Sequence, residues 1–457
     1  MSDIEKKLGE LGIGIPEILL PREIDLGRWA TVACDQFTQD RGYWEKAGKA
    51  TDNRASTLRV IFPEAYLEDG DESRAKRIEG IHMDMENYLY GGVLAEPRKG
   101  FVYLERDTPF NRQRRGLVVA VDLERYSWST DARPMIRPTE GTVAERLPPR
   151  MEVRRNALLE TSHIIMLIDD DADALLPGLG ERAKKAPPVY SGDLMMDSGA
   201  VRGWFLDRED DWQYLAEGLA GLSGRALTRY AAGSSAPGEQ PFLFAVGDGN
   251  HSLASAKEVW EEYKAEFAKT EAGKSGDLPT HPCRYAIVEI ESIYDPAIKF
   301  EPIHRVVFGL GFDRAIALLS ALPGFSSREV AGREELARLV AEPVKGNRFG
   351  LASLGNRFAL VETSAGGIST ASLQPLLDRA VDASGDLSID YIHGEDELFR
   401  LALAPEKPAT GILLPPVQKD GFFETVARTG PLPRKSFSMG EACEKRFYIE
   451  CRRLFEM

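Results

Sequence analysis

Gly247-Asp248-Gly249-Asn250-His251-Ser252 decides how this chain is read. The apolar run Phe242-Leu243-Phe244-Ala245-Val246 precedes it, and Leu253-Ala254-Ser255-Ala256-Lys257-Glu258-Val259-Trp260 opens a helix that continues to Lys264. The order is strand, tight polar turn, helix. Two glycines permit backbone torsions that a side chain forbids. A helix starting just beyond them offers unpaired N–H groups and a partial positive charge to an anion. Asp248, Asn250, His251 and Ser252 add a carboxylate, an amide, an imidazole and a hydroxyl. That combination suits phosphate chemistry. The same residues also suit a plain turn in which Asp248 or Ser252 caps the helix. Both readings stand at this point.

Composition narrows the class. With 457 residues the chain exceeds one simple core, so two or three lobes are expected. A hydrophobic share of 43% and a charged share of 28% are those of a soluble globular protein. A net charge of −15 argues against broad electrostatic binding of nucleic acid, which needs a basic footprint. Cys34, Cys283, Cys443 and Cys451 include no C-x-x-C pair, and a reducing setting is the simpler one. The start, Met1-Ser2-Asp3-Ile4-Glu5-Lys6-Lys7, has no signal-peptide core. No apolar run approaches the roughly 20 residues of a membrane span. A cytoplasmic protein that binds neither membrane nor nucleic acid is expected.

Periodicity supplies the elements. Trp29–Cys34 reads as a strand with Asp35-Gln36-Phe37 at its end, and Phe62–Leu67 as a strand or turn. Ala75, Ile78, Ile81, Met85 and Leu89 give a helix over 72–93. Gly100–Glu105 and Arg115–Asp122 read as paired strands, and Ser162–Ile168 as a strand closed by Asp169-Asp170-Asp171. That acidic triplet reads as a solvated strand end in preference to a metal site. Trp212–Leu222 is a helix, Gly233–Gly238 a loop, and Arg284–Ile290 a strand. Lys299–Phe308 is a strand that Pro302 places at an edge or bulge. From Asp313 helices alternate with the strands Phe349–Leu354 and Arg357–Glu362, and Leu373–Ala380 is a helix with Pro375 in its first turn. The fold class is α/β to α+β: mixed sheets with flanking helices, a main lobe over 1–310, and a smaller α+β lobe with its tail over 311–457.

Two further clusters stand beside strand ends. Arg137-Pro138-Thr139-Glu140-Gly141-Thr142 is followed by Arg146 and Arg150. A carboxylate among arginines serves as a general base, or joins a surface ion-pair patch. Pro148-Pro149 argues against an uninterrupted helix there. In Pro302-Ile303-His304-Arg305 the histidine and arginine point to opposite faces of a strand, and a partly buried, backbone-bonded histidine is the preferred reading. Lys435 could reach a phosphate as a point charge. Walker, dinucleotide, serine-hydrolase and zincin motifs are absent.

The ordered set Pro138–Thr142, Asp248–Ser252, Pro302–Arg305, Leu414-Pro415-Pro416 and Pro433–Ser436 resembles the bacterial family called domain of unknown function 1015. The resemblance spans nearly the whole chain. It departs at the turn, with Asn250 where the family often has histidine and Ser252 where it often has arginine. The turn also resembles the phosphate motif of ParB/sulfiredoxin-fold proteins, a superfamily that includes free serine kinases with a glutamate base. That second resemblance rests on one motif and an upstream glutamate. What the two imply is a ParB/sulfiredoxin-like element around the turn and a link to serine metabolism.

The function expected is a kinase-like phosphotransferase that uses Mg²⁺ and ATP or ADP and acts on a small hydroxyl metabolite, serine or phosphoserine first. Glu140, Asp248 and His251 are the catalytic candidates, with Asp248 holding the metal. Gly249, Asn250, Ser252, Arg146, Arg150, His304, Arg305 and Lys435 are the phosphate and nucleotide candidates. The alternative is a non-catalytic regulator that binds a nucleotide or phosphometabolite in the same pocket. A homodimer is left open.

Overall fold

The computed structural model describes residues 2–111, 113–230, 240–275, 281–403 and 408–455. The expected loop Gly233–Gly238 lies outside them. The chain divides into two units, Met1–Ile298 with Glu441–Met457, and Lys299–Gly440. The sequence boundary at 310/311 therefore differs in two ways. The strand at Phe300–Phe308 belongs to the second unit, and the last residues return to the first.

Among the described residues, the first unit holds a nine-stranded sheet. Its strands are β1 (Ile13–Gly14), β2 (Phe101–Asp107), β3 (Arg114–Asp122), β4 (Ile136–Pro138), β5 (Ile165–Ile168), β6 (Tyr190–Asp193), β7 (Ala200–Leu206), β8 (Phe244–Asp248) and β9 (Tyr285–Ser292). They run in the order β6-β7-β2-β3-β9-β5-β8-β4, with β1 beside β3. The pairs β9–β5 and β8–β4 are parallel, and the rest are antiparallel. β2, β3, β5 and β9 bury nearly every residue, which explains their continuous apolar runs. The helices include α1 (Asp71–Tyr90), α2 (Pro148–Arg154), α3 (Glu209–Tyr230) and α4 (Asn250–Phe267).

In the second unit, β10 (Phe300–Phe308), β11 (Ser326–Glu329), β12 (Asn347–Ser353), β13 (Arg357–Thr363), β14 (Ser388–His393), β15 (Ala409–Leu413) and β16 (Phe437–Met439) form another sheet. Its order is β11-β13-β12-β15-β10-β14, with β16 on β10. Val306 packs in one apolar cluster with Leu336 and Leu398, and Val307 in another with Leu319 and Leu373, so both sheet faces are covered. Pro302 pairs only with Phe437 of β16, a place in β10 with one neighbour, where a missing N–H is tolerated.

Two local readings change. Trp29–Cys34 is not one strand: Leu26–Trp29 turns as a helix and only Thr31–Val32 pairs. Pro148 and Pro149 interrupt the stretch as expected: the 3-10 turn Ala144–Arg146 ends before them, and they open α2 at its first positions, where no N–H is needed. Pro375 lies inside the helix Ser369–Asp382, which begins four residues earlier than its apolar spacing indicates. The acidic triplet is neutralised: Asp169 and Asp171 pair with Arg229, and Asp170 accepts the Ala174 and Leu175 N–H groups.

Beneath β3 and β9 lies a buried charge network. Arg446 pairs with Glu289 and Glu450, and Arg114 pairs with Glu291 at 2.9 Å. Gly116 makes room for Glu289, because a Cβ there would sit 2.0 Å from its carboxylate. Burial pushes the Glu291 carboxyl up to about 8, with Arg114 opposing and Glu289 reinforcing. The folded chain then keeps a proton that the unfolded chain releases near the ordinary value of 4.5, so stability falls as pH rises from there to about 8. Glu291→Gln removes this slope. In urea titrations across that window, the variant should gain on the wild type as pH rises. Parallel midpoint curves would contradict the assignment.

Candidate functional site

The turn departs from β8 and opens α4. Gly249 stands at the helix start with φ +77°, and a Cβ there would meet Ile164 at 3.0 Å, so both torsion and space call for glycine. No side chain caps α4. The capping reading of Asp248 and Ser252 is therefore not realised. Asp248 Oδ1 instead accepts the Gly249 N–H at 2.9 Å, and Oδ2 lies 3.3 Å from Lys445 Nζ.

Glu140 reaches the same edge through sheet topology. β4 runs parallel to β8 with Pro138 opposite Val246. Thr139 fastens the strand end by donating its hydroxyl to the Val246 carbonyl at 2.6 Å. Glu140 and Asp248 each follow these paired positions by two residues, so the parallel strands carry both toward the same end of the sheet. His251 ties the loop after Glu140 to α4: the Val143 N–H donates to its Nε2 at 3.2 Å. An amide can only donate, so Nε2 carries the lone pair and Nδ1 the proton. Asn250 Nδ2 reaches the Val246 carbonyl at 3.5 Å, while its Oδ1 is buried without a hydrogen-bond partner among the described residues.

Ser252 faces a cavity of about 130 Å³, with Ser255, His163, Arg150, Glu64 and Tyr448 among its lining. Val60, Ile61, Phe62, Leu67 and Met85 make an apolar wall. Ser252 Oγ lies 3.3 Å from His163 Nε2, and the Tyr448 hydroxyl bonds Nδ1 of the same ring. Asp35 Oδ2 is 3.7 Å from Nε2. Burial works against charge on Asp35, but His163, the Gln36 amide, Lys445 and Arg150 outweigh it and hold the carboxyl below its usual value. Burial pushes Glu64 the other way in spite of its pairing with Arg150. Neighbouring carboxyls driven apart in this manner are a mark of reactive sites.

Not every candidate sits here. Arg150 lines the cavity, whereas Arg146 is exposed on a short 3-10 turn. His304, Arg305 and Lys435 belong to the second unit. His304 is buried and accepts the Leu414 N–H on Nδ1, and burial, with Arg305 and His393, lowers its pKa to about 4, so it is a neutral ring. Arg305 is buried on the opposite face, bonded to Gln374 and the Ile303 carbonyl with Tyr391 against its guanidinium. Lys435 is exposed.

The residues that sequence reading missed are Asp35, His163, Lys445 and Tyr448. Phe447–Tyr448 pairs with Thr31–Val32, which brings the tail beside Asp35. The only local signals were chemical: a histidine beside an apolar strand, and a Lys-Arg pair followed by the apolar Phe447-Tyr448-Ile449.

A family model described as a protein of unknown function, DUF1015, matches residues 18–383. No curated protein matches the chain. Similar solved structures include a conserved hypothetical protein from Pyrococcus furiosus, with 14% identity and a TM-score of 0.33, covering 73% of this chain and 90% of that one. A free serine kinase in complex with AMP has 13% identity and a TM-score of 0.35, covering 74% and 91%. SbnI with a C-terminal truncation, from Staphylococcus aureus, has 9% identity and a TM-score of 0.34, covering 73% and 82%.

Proposed function

We propose the following for this chain, which belongs to the DUF1015 family of proteins of unknown function: it is a nucleotide-dependent phosphotransferase acting on a small hydroxyl metabolite, with serine and phosphoserine the first compounds to test. The observation that carries this reading is the uncapped start of α4, with Asp248 beside it and Glu140 on the adjoining parallel strand. The backbone of Asn250–Ser252 would cradle phosphate with the helix dipole behind it and Gly249 setting the turn. The His251 Nδ1–H would donate to a phosphate oxygen. Lys445 and Arg150 would balance charge, and Glu140 would take the proton from the metabolite hydroxyl. The orphaned Asn250 Oδ1 supports a ligand that brings a donor.

Asp248 does not fit as a ligand of a resident Mg²⁺. One oxygen holds the Gly249 N–H and the other faces Lys445, and among the described residues no group of three or more His, Cys, Asp or Glu could hold a metal ion. Its role in the proposal is to set Lys445 and the turn, and to orient the hydroxyl. A divalent ion carried on the nucleotide's phosphates belongs to the substrate.

The same Asp248–Lys445 pair favours the second reading, a regulator that binds the nucleotide without transfer, because it leaves Asp248 neutralised. A coupled assay separates the two. Full-length chain with ATP, Mg²⁺ and a panel of hydroxy acids and hydroxy amino acids should release ADP only when one of the panel is present. Nucleotide binding without acceptor-dependent release would make the protein a regulator. Neither binding nor release would remove both readings.

A further inference from the structure

Ser252 is more than a donor in the cradle. It is the third residue of a helix with no side-chain cap, so a phosphate on its oxygen would lie at the positive end of that helix's dipole. Its hydroxyl also lies 3.3 Å from Nε2 of the His163 imidazole, which sets it apart from the other two serines of the cavity wall. Ser255 donates to the His251 carbonyl at 2.8 Å, and Ser162 accepts the Ile164 N–H at 3.0 Å, so both are occupied with backbone. His163 is buried, with a side-chain exposure of 4%, and is held on both sides. Tyr448 bonds Nδ1, and the Tyr448 oxygen also accepts the Cys34 N–H at 3.3 Å. Burial keeps Tyr448 a phenol. With the imidazole proton on Nδ1, donated to Tyr448, Nε2 is the acceptor that faces Ser252. Asp35 lies 3.7 Å from Nε2 and would stabilise the imidazolium formed there.

We propose that Ser252 is a covalent phosphoryl carrier: its hydroxyl takes the phosphoryl group from a nucleoside triphosphate and passes it to the metabolite. This rests on the phosphotransferase reading above. In the first half, the Ser252 Oγ–phosphorus bond forms as the bond between the γ-phosphorus and the β,γ-bridging oxygen breaks. The hydroxyl proton moves to His163 Nε2, and a nucleoside diphosphate leaves with the bonding electron pair. In the second half, the metabolite hydroxyl attacks the phosphorus and gives its proton to Glu140. The phosphorus–Oγ bond breaks, and Oγ recovers its proton from His163. No group beyond the triphosphate and the metabolite is consumed.

The test uses the full-length chain and γ-labelled ATP with no acceptor present. One labelled phosphoryl group per chain should appear on the peptide that carries Ser252, and labelled ADP should exchange into ATP. Ser252→Ala should lose both signals while its nucleotide affinity stays near that of the wild type. His163→Gln should slow labelling about 100-fold or more at unchanged affinity, the usual loss on removing a general base. Turnover by the wild type with neither label nor exchange would overturn the carrier and leave direct transfer standing. Wild-type turnover by Ser252→Ala would overturn it as well, even if Ser252 is labelled. Absence of nucleotide binding by the wild type would overturn the carrier and the phosphotransferase together.

Discussion

Arg446→Met should lower the stability of the chain by about 3–5 kcal/mol, the usual cost of removing one partner from a buried ion pair. Arg446 is almost fully enclosed and serves two carboxylates, Glu289 and Glu450, with side-chain exposures of 2% and 0%. Its Nε also donates to the Ser162 carbonyl at 3.0 Å. Methionine fills much of the volume but leaves two buried negative charges without their cation. A whole domain holds only about 5–15 kcal/mol, so the loss is a large share of the total. Arg446→Lys should lose less, because it keeps the charge and gives up the forked hydrogen bonds. In urea unfolding, the wild-type and Arg446→Met midpoints should draw together as pH falls and Glu289, whose carboxyl is held below its usual value against burial by Arg446, takes up a proton. A separation that is small at neutral pH would contradict the network's role. The effect would also reach function: Arg446 lies between Lys445 and Tyr448 in the tail and binds the carbonyl next to His163, so it fixes three groups of the site.

How much of this could be read beforehand depended on range. The helix over 71–90 and the strands at 101–107 and 114–122 announce themselves by local spacing, because burial imposes the period of each element directly on its residues. The strand, turn and helix around Asp248 were legible for the same reason, with glycine marking the left-handed position. The β4–β8 pairing that carries Glu140 and Asp248 toward the same end of the sheet spans more than a hundred residues, a range at which spacing alone leaves no signal. Asp35, His163, Lys445 and Tyr448 were invisible as a group. Their meeting depends on the two-residue pairing of Thr31–Val32 with Phe447–Tyr448, too short to leave a periodic signal. Proline was read correctly once and wrongly once: Pro148-Pro149 does break the stretch after Arg146, whereas Pro375 sits well inside its helix and not in the first turn. His304 is the buried, backbone-bonded histidine that its place in a strand indicated, and Arg305, also named as a phosphate candidate, is buried with internal hydrogen bonds in the second unit.

The claim that the turn at Asp248 does chemistry is tested most directly by Asp248→Asn. Asparagine keeps the shape, and its side-chain oxygen can still accept the Gly249 N–H that Asp248 Oδ1 accepts at 2.9 Å. It abolishes the charge that faces Lys445 at 3.3 Å and that would orient the attacking hydroxyl. The fold should therefore survive with a melting temperature close to that of the wild type, and nucleotide affinity should change little, since the cradle is built from amides. Acceptor-dependent transfer should fall about 100- to 1,000-fold, the range seen when one group of an electrostatic site is lost. The decisive measurement is the rate of acceptor-dependent ADP formation by Asp248→Asn beside the wild type, with nucleotide affinity and melting temperature taken on the same preparations. A collapse of the rate with affinity and fold intact is the result predicted here, and a wild-type rate in the variant would contradict it.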